Sequence, residues 1–141
     1  MIILASDHGG YELKEKIKNY LAKNYDVVDV GAFVYDDKDD YPKYAKLAMQ
    51  RMVENKNARA IVLCGSGVGV SIACNRYKGI YATIGVNEEQ VRLARQHNNI
   101  NVLNLGGRNT SFAKAKKLIE VFLNTEFEGG RHIKRLNAID K

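Results

Sequence analysis

Cysteine and long apolar runs are scarce in this sequence. Cys64 and Cys74 are its only two cysteines, and their spacing suits neither a zinc site nor a redox dithiol. So few thiols are typical of a reducing compartment, which predicts a cytoplasmic protein. No apolar run approaches the roughly 18 residues of a membrane-spanning helix. The apolar residues 1–5 are too few for a secretion signal and lack its basic lead, so we expect no membrane partner and no targeting segment.

A basic tract is also missing, although the net charge is +6. The lysines and arginines are scattered along the chain, and many fall on predicted helix faces, as in residues 14–16 and 114–117. We interpret these faces as solvent-exposed surface, and we therefore predict no nucleic-acid partner. An anionic small molecule remains compatible with the positive charge.

What the sequence does contain is a regular alternation of strand and helix patterns. Its 141 residues fit one domain, residues 1–141, with a core large enough to need no disulfide or metal. Five strand-helix alternations predict an open parallel sheet with helices on both faces. The predicted strands are residues 2–5, 27–30, 60–63, 80–84 and 101–105. The predicted helices begin near residues 11, 41, 69, 87 and 110, and a short helical segment lies in the tail, residues 127–141.

The most informative stretch surrounds Cys64. Four apolar residues lead into this cysteine, glycines follow at alternate positions, and a helical pattern begins directly after them. A strand, a tight turn and a helix start would bring several backbone N–H groups to one point, where an anion or oxyanion is stabilised. A thiol beside a helix N-terminus can have its pKa lowered from about 8.5 toward about 3.5–7.5. The pattern thus predicts a base or nucleophile beside an oxyanion hole, with a structural turn and a core cysteine as the alternative.

The same topology gathers polar residues at the carboxyl ends of the parallel strands, which we call the carboxyl edge of the sheet. Asp7 and His8 follow the first strand, Cys64 and Ser66 the third, and Arg108 the fifth, which is the edge where such sheets bind ligands.

Other polar residues fall elsewhere in the predicted fold. His97 and Asn98 end the helix before the fifth strand, so we expect them near the opposite edge of the sheet. Arg131 and Arg135, four residues apart in the tail with His132 between them, share a helix face that suits a phosphate. These residues could complete a site across a symmetric dimer interface.

Five segments keep their order and spacing along nearly the whole chain: residues 6–10 (Ser-Asp-His-Gly-Gly), 40–42 (Asp-Tyr-Pro), 64–73 (Cys-Gly-Ser-Gly-Val-Gly-Val-Ser-Ile-Ala), 95–99 (Arg-Gln-His-Asn-Asn) and 128–135 (Glu-Gly-Gly-Arg-His-Ile-Lys-Arg). Together they resemble the type B ribose-5-phosphate isomerases and the related galactose-6-phosphate isomerase subunits. The resemblance implies a Rossmann-like α/β fold, a three-layer α/β/α sandwich around a five-stranded parallel sheet. It also implies a homodimer or dimer of dimers with shared active sites, to which the tail contributes, and a sugar-phosphate substrate with no metal and no cofactor.

The resemblance also implies roles for individual residues. Cys64 matches the base that transfers the carbon-bound proton, His97 the acid/base that opens the sugar ring, and Ser66 a hydroxyl that relays protons. Asn98 and the backbone of the glycine turn would hold the enediolate, and Asp7 and His8 would contact the sugar and phosphate ends. The turn residues are Gly65, Ser66, Gly67, Val68 and Gly69, and the phosphate-binding arginines are Arg108, Arg131 and Arg135. Ser66 stands where many members have Thr, Asn99 where Asp is common, and Cys74 where Ala is usual, which we interpret as core packing.

The resulting hypothesis is interconversion of ribose 5-phosphate and ribulose 5-phosphate through an enediolate. One alternative is an isomerase of a six-carbon sugar phosphate, allose or galactose 6-phosphate. A second is a phosphate- or nucleotide-binding domain without activity. A metal hydrolase using Asp7, His8 and His97 is disfavoured, because no two of these share a helix face at a spacing of four.

Overall fold

A computed structural model describes residues 1–140. Its centre is a five-stranded, all-parallel sheet in the order β2-β1-β3-β5-β4. The strands are β1 (Ile2–Ser6), β2 (Val27–Asp29), β3 (Arg59–Cys64), β4 (Ala82–Ile84) and β5 (Val102–Gly106). The helices are α1 (His8–Leu21), α2 (Tyr41–Glu54), α3 (Val68–Cys74), α4 (Glu88–Asn98), α5 (Phe112–Asn124) and α6 (His132–Ile139).

The sheet is covered on both faces, which explains why its central strands read as continuous apolar runs. Alternate side chains of β1, β3 and β5 point to opposite faces. One face packs against α2 and α3 in a core that includes Met49, Val62 and Cys74. The other packs against α1, α4 and α5 in a core that includes Ile17, Leu63 and Phe122. The predicted three-layer α/β/α architecture is therefore confirmed.

Local hydrogen bonds move some element boundaries away from the prediction. Helix α1 begins at His8 rather than near residue 11, because the Asp7 carboxylate caps it by accepting the N–H groups of Gly9 (2.9 Å) and Gly10 (3.3 Å). The predicted turn at these glycines is therefore the first turn of a helix. Strand β4 is shorter than predicted and begins at Ala82. The Asn87 side chain does cap α4, as expected from its position.

One lysine predicted to lie on a solvated helix face is buried. Lys14 is fully buried on α1, and its ammonium donates to both carboxylate oxygens of Asp29 (2.8 and 2.7 Å) and to the carbonyl of Ala32 (2.7 Å). Burial raises the pKa of Asp29, but hydrogen bonds from Lys14, the Gly31 N–H and Lys18 outweigh it and hold the pKa below its ordinary value. The ion pair ties α1 to the end of β2.

The carboxyl and amino ends of the strands, the carboxyl and amino edges of the sheet, carry different groups of the predicted site residues. The carboxyl ends of β3 and β5 are joined by hydrogen bonds from the Gly107 N–H to the Cys64 carbonyl (2.8 Å) and from the Arg108 N–H to the Gly65 carbonyl (3.0 Å). Helix α4 runs back toward the amino edge, and only residues 99–101 separate its last residue, Asn98, from the start of β5. Side chains after β3 and side chains at the end of α4 therefore lie at opposite edges. Among residues 1–140, none of the helices is both long and apolar enough to span a membrane.

Candidate active site

A cavity of about 400 Å³ opens at the carboxyl edge of the sheet. Loops after β1, β2, β3 and β5 form its walls, as expected for an open parallel sheet. It brings together seven of the residues singled out in the sequence: Asp7, His8, Cys64, Gly65, Ser66, Gly69 and Arg108. Asp39, Asp40, Tyr41 and Asn109 complete its lining. We refer to Asp7, His8, Cys64, the turn 65–69 and Arg108 as the cysteine half-site.

Cys64 lies at the base of this cavity with only 5% of its surface exposed. Its Sγ accepts a hydrogen bond from the Gly67 N–H at 3.1 Å. Gly67 has a φ of +84°, a left-handed conformation that favours glycine, and it directly precedes α3. The turn therefore wraps around the sulfur and aims an amide dipole at it, an arrangement that complements negative charge on the thiol.

The rest of the turn packs tightly beneath the cavity. The Val68 N–H donates to Ser66 Oγ at 3.2 Å, so the amides of Gly67 and Val68 both donate within the turn. A Cβ on Gly65 would lie 2.9 Å from Nη1 of Arg108, and a larger residue there would push the guanidinium away. The absence of a side chain at Gly65 thus keeps the Arg108 guanidinium close to the backbone of the turn.

Asp7, His8 and Asp39 form a polar cluster on one wall of the cavity. The Asp39 carboxylate accepts the His8 N–H at 2.9 Å and lies 2.7 Å from His8 Nδ1. The hydrogen bond with Asp39 raises the pKa of His8 above its ordinary value. Burial raises the pKa of Asp7, despite the opposing effects of His8 and of the Gly9 and Gly10 amides.

His97, Asn98, Arg131 and Arg135, which we call the histidine half-site, lie at the other edge of the sheet. The His97 ring stacks on His132, with centroids 4.5 Å apart and planes inclined by 17°. Burial lowers the pKa of His132, as do the neighbouring positive charges of Arg131 and Arg135 and the nearby His97. Asn98 lines a separate cavity of about 580 Å³ between β4, α4 and α6.

One chain therefore does not unite the two half-sites. The ladder from Val102 to Gly106 alone spans roughly 13 Å, given about 3.3 Å per residue. His97 is also remote from Asp7 and His8, so the metal hydrolase built on those three residues is wrong within one chain. Two other sets have ligand atoms close enough to hold a metal ion within residues 1–140: Asp7, His8 and Asp39, and His97, Glu128 and His132.

Comparison with known proteins identifies the family. A family model described as Ribose/Galactose Isomerase matches residues 2–139. The chain belongs to the ribose/galactose isomerase family. This confirms the resemblance found from the five sequence segments.

Relatives of this ribose/galactose isomerase family member match it over nearly their whole length. A Mycoplasma pneumoniae protein named probable ribose-5-phosphate isomerase B is 44% identical over 139 residues, 98% of this chain and 91% of that protein. The crystal structure of a ribose 5-phosphate isomerase from Thermotoga maritima is 46% identical, with a TM-score of 0.94 over 99% of this chain and 96% of that one. Ribose-5-phosphate isomerase B from Mycoplasma genitalium, solved with bound ribulose-5-phosphate, is 42% identical, with a TM-score of 0.93 over 98% and 92%.

Sequence reasoning did not assign Asp39, Asp40, Tyr41 or Asn109 to this isomerase family site, and Asp39 makes the clearest contact there. Asp39 falls in an acidic segment, residues 34–40, that reads as a surface loop, yet its side chain is only 7% exposed and holds His8. The predicted topology could have placed Asp39 at the site, because its segment follows β2 at the same carboxyl edge as the other polar residues. Asn99, which directly follows α4, has a φ of +48° and accepts a hydrogen bond from Arg95 (2.9 Å).

Proposed function

We propose that this chain is an aldose–ketose isomerase that interconverts ribose 5-phosphate and ribulose 5-phosphate. The observation that carries the proposal is the Cys64 sulfur at the base of an open cavity, contacted by a backbone N–H, in a member of this family. The bound ribulose-5-phosphate of the Mycoplasma genitalium relative supports the choice of substrate.

In this proposal Cys64 acts as a base in its thiolate form. The sulfur takes the proton from C2 of the open-chain aldose, and the electron pair forms the C1–C2 double bond of an enediolate. The proton then returns to C1, and Ser66 carries the hydroxyl proton between the two substrate oxygens. General acid–base catalysis of this kind contributes roughly 10²–10⁴-fold.

The glycine turn stabilises the charge that develops during this step. As negative charge moves from sulfur to the substrate oxygen, the Gly67 N–H that faced the thiolate becomes available to the enediolate. Removing one such donor typically costs about 10²–10³-fold. Asn98 adds a side-chain donor, and the backbone amides of residues 65–69 supply the others.

His97 opens the furanose ring, since an imidazole can both donate and accept a proton near neutral pH. The guanidinium groups of Arg108, Arg131 and Arg135 hold the phosphate and thereby position the reacting carbons. Asp7 and His8 contact the sugar and phosphate ends of the substrate. No metal or cofactor takes part in these steps.

These roles require two copies of the chain, because the half-sites lie at opposite edges of each one. We propose a homodimer, or a dimer of dimers, in which the cysteine half-site of one subunit faces the histidine half-site of the other. Exposed apolar side chains on both sides support such pairing: Val68 and Ile72 on α3, and Ile133 and Ile139 on α6. Residues 1–141 then form one isomerase domain, whose tail from about residue 127 serves the neighbouring active site.

We place the enzyme in the cytoplasm, because the mechanism needs a free thiol and both cysteines are unpaired in the structure. A coupled assay of ribulose 5-phosphate formation tests the proposal. The Cys64→Ala variant should lose at least about 100-fold in kcat while KM changes little. Activity equal to that of the unaltered protein would remove Cys64 from the mechanism. Parallel kcat/KM values for allose 6-phosphate and galactose 6-phosphate test the six-carbon alternative.

A further inference from the structure

Three metal-binding side chains meet beside α6. His97, Glu128 and His132 each offer one ligand atom, and these atoms lie within 4.8 Å of one another. Separate parts of the chain supply them: the last turn of α4, the segment before α6 and the first residue of α6. The Glu128 N–H donates to the Gln96 carbonyl at 3.0 Å, which fixes the segment that carries the carboxylate.

His132 points to a ligand at this position. The residue is 95% buried, given its 5% exposure, and its Nε2 has no hydrogen-bond partner within residues 1–140. Buried polar atoms nearly always have a partner, so an orphaned imidazole nitrogen needs an explanation. This nitrogen faces the Glu128 carboxylate, with 3.7 Å between Nε2 and Oε1.

The distances suit two ligands of one ion better than a hydrogen bond. Glu128 Oε1 is also 3.8 Å from His97 Nε2, and both separations exceed the roughly 2.7–3.2 Å of an N–H···O bond. Ligands about 2.0–2.1 Å from a tetrahedral zinc ion lie roughly 3.3 Å from each other. The two imidazole–carboxylate separations must shorten by about half an ångström to reach that spacing. The His97 ring, 37% exposed, must also turn out of its stack on His132, because an ion lies close to the plane of each imidazole that binds it.

We propose that His97, Glu128 and His132 form a binding site for Zn²⁺. Two imidazole nitrogens and one carboxylate form a typical three-ligand zinc set, in which water takes the fourth position. Mg²⁺ and Ca²⁺ prefer oxygen ligands and fit this set poorly.

The second candidate set, Asp7, His8 and Asp39, serves as an internal contrast. Two of its three residues are already engaged, since His8 Nδ1 bonds Asp39 Oδ1 at 2.7 Å and Asp7 Oδ1 accepts two amides of α1. Asp39 Oδ2 is buried without a partner among the described residues, but its carboxylate is held by His8 through Oδ1. Zinc binding there would break these contacts, whereas the His97 set loses no hydrogen bond of its own.

Zinc at this site has a consequence that rests on the proposed function. A zinc ion on Nε2 of His97 would engage the imidazole that transfers the proton during ring opening in the proposed mechanism. Zinc should therefore inhibit the isomerase, and a chelator should restore activity.

The test titrates the chain of residues 1–141 with Zn²⁺ against a chromogenic chelator. We expect one zinc per chain, with affinity reduced about 100-fold or more by Glu128→Gln or His132→Asn, since changes even outside the ligand shell cost about 10–100-fold. Glu128 is exposed, so its variant should fold normally even if His132→Asn does not. Two control variants, Cys64→Ser and His8→Asn, should bind zinc as the unaltered protein does.

Loss of zinc binding in Cys64→Ser, with full binding in Glu128→Gln, would overturn the proposal and assign the metal to the thiol. Unchanged binding in Glu128→Gln and His132→Asn would overturn it as well. In the activity arm, zinc should inhibit the unaltered protein but not Glu128→Gln. If the chain has no isomerase activity in zinc-free buffer, the proposed function is refuted but the zinc site is not, because the binding titration needs no turnover.

Discussion

A mixture of two inactive variants should regain activity if the active site is shared between subunits. Cys64→Ala removes the proposed base of the cysteine half-site, and His97→Ala removes the proposed acid/base of the histidine half-site. Within one chain these residues are separated by at least the length of β5, roughly 13 Å, far beyond the 2.6–3.2 Å reach of a proton-transferring group. The proposed mechanism therefore needs one of these residues from each of two chains.

The expected recovery follows from random pairing of equal amounts of the two variants. About half of the dimers are mixed, and each mixed dimer has one site with both native residues and one site with neither. Specific activity should thus reach about one quarter of that of the unaltered protein. Each parent should retain about 1% or less, so the mixture should exceed the parents at least about 25-fold.

The assay follows ribulose 5-phosphate formation after the variants are unfolded together in urea and refolded, so that subunits exchange. A matched control mixes Cys64→Ala with Arg108→Ala, which alter the same half-site. In that mixed dimer every site carries one defect, and activity should stay at the level of the parents. Pairing Cys64→Ala with Arg131→Ala should restore activity, because the tail belongs to the other half-site. Equal failure of all three mixtures would refute the shared site.

Two further predictions concern charged pairs seen in the structure. Asp29→Ala leaves the Lys14 ammonium buried without its carboxylate, so the free energy of unfolding in urea at pH 7 should fall by about 3–5 kcal/mol, and a Lys14→Met, Asp29→Leu double variant should lose less. Because folding lowers the pKa of Asp29, the stabilisation by its carboxylate is fully present above the ordinary value of 3.8 and is lost as the pH falls through the lower folded-state pKa. The stability difference between Asp29→Ala and the unaltered protein should therefore stay constant from pH 7 to pH 5. A difference that decreases over this range would contradict the assignment. Asp39→Asn should lower the pKa of His8 in an NMR titration and move the alkaline limb of kcat/KM to lower pH, whereas Asp37→Asn, in the exposed part of the same loop, should change neither.

The sequence predicted the sheet well because buried parallel strands leave a plain signature. Runs such as residues 60–63 are apolar throughout, and the glycines after Cys64 mark the point where the chain must turn into a helix. The same pattern placed the thiol and Arg108 at one edge, since parallel strands all end there.

What the sequence could not predict depends on side chains far apart along the chain. Lys14 lies in a charged run typical of solvent-exposed helix, and only the position of Asp29 at the end of β2 explains its burial. The start of α1 depends on the hydrogen bonds that Asp7 makes, which outweigh the turn preference of Gly9 and Gly10. Asp39 reaches His8 across 31 residues of chain, a contact that no local pattern indicates.

The direction of α4 links assembly to chemistry. A helix between two parallel strands must run back across the sheet, so its last residues, His97 and Asn98, end at the edge opposite Cys64. No change of side-chain rotamer can close that distance, and moving His97 to the start of α4 would detach it from the tail that carries Arg131. A symmetric pair of chains resolves this conflict, because a two-fold axis that places the cysteine half-site of one chain against the histidine half-site of the other creates the reciprocal contact as well. On this view an isolated chain keeps its thiol beside the glycine turn but has no group to open the sugar ring, so isomerisation of the cyclic sugar begins only when two chains meet.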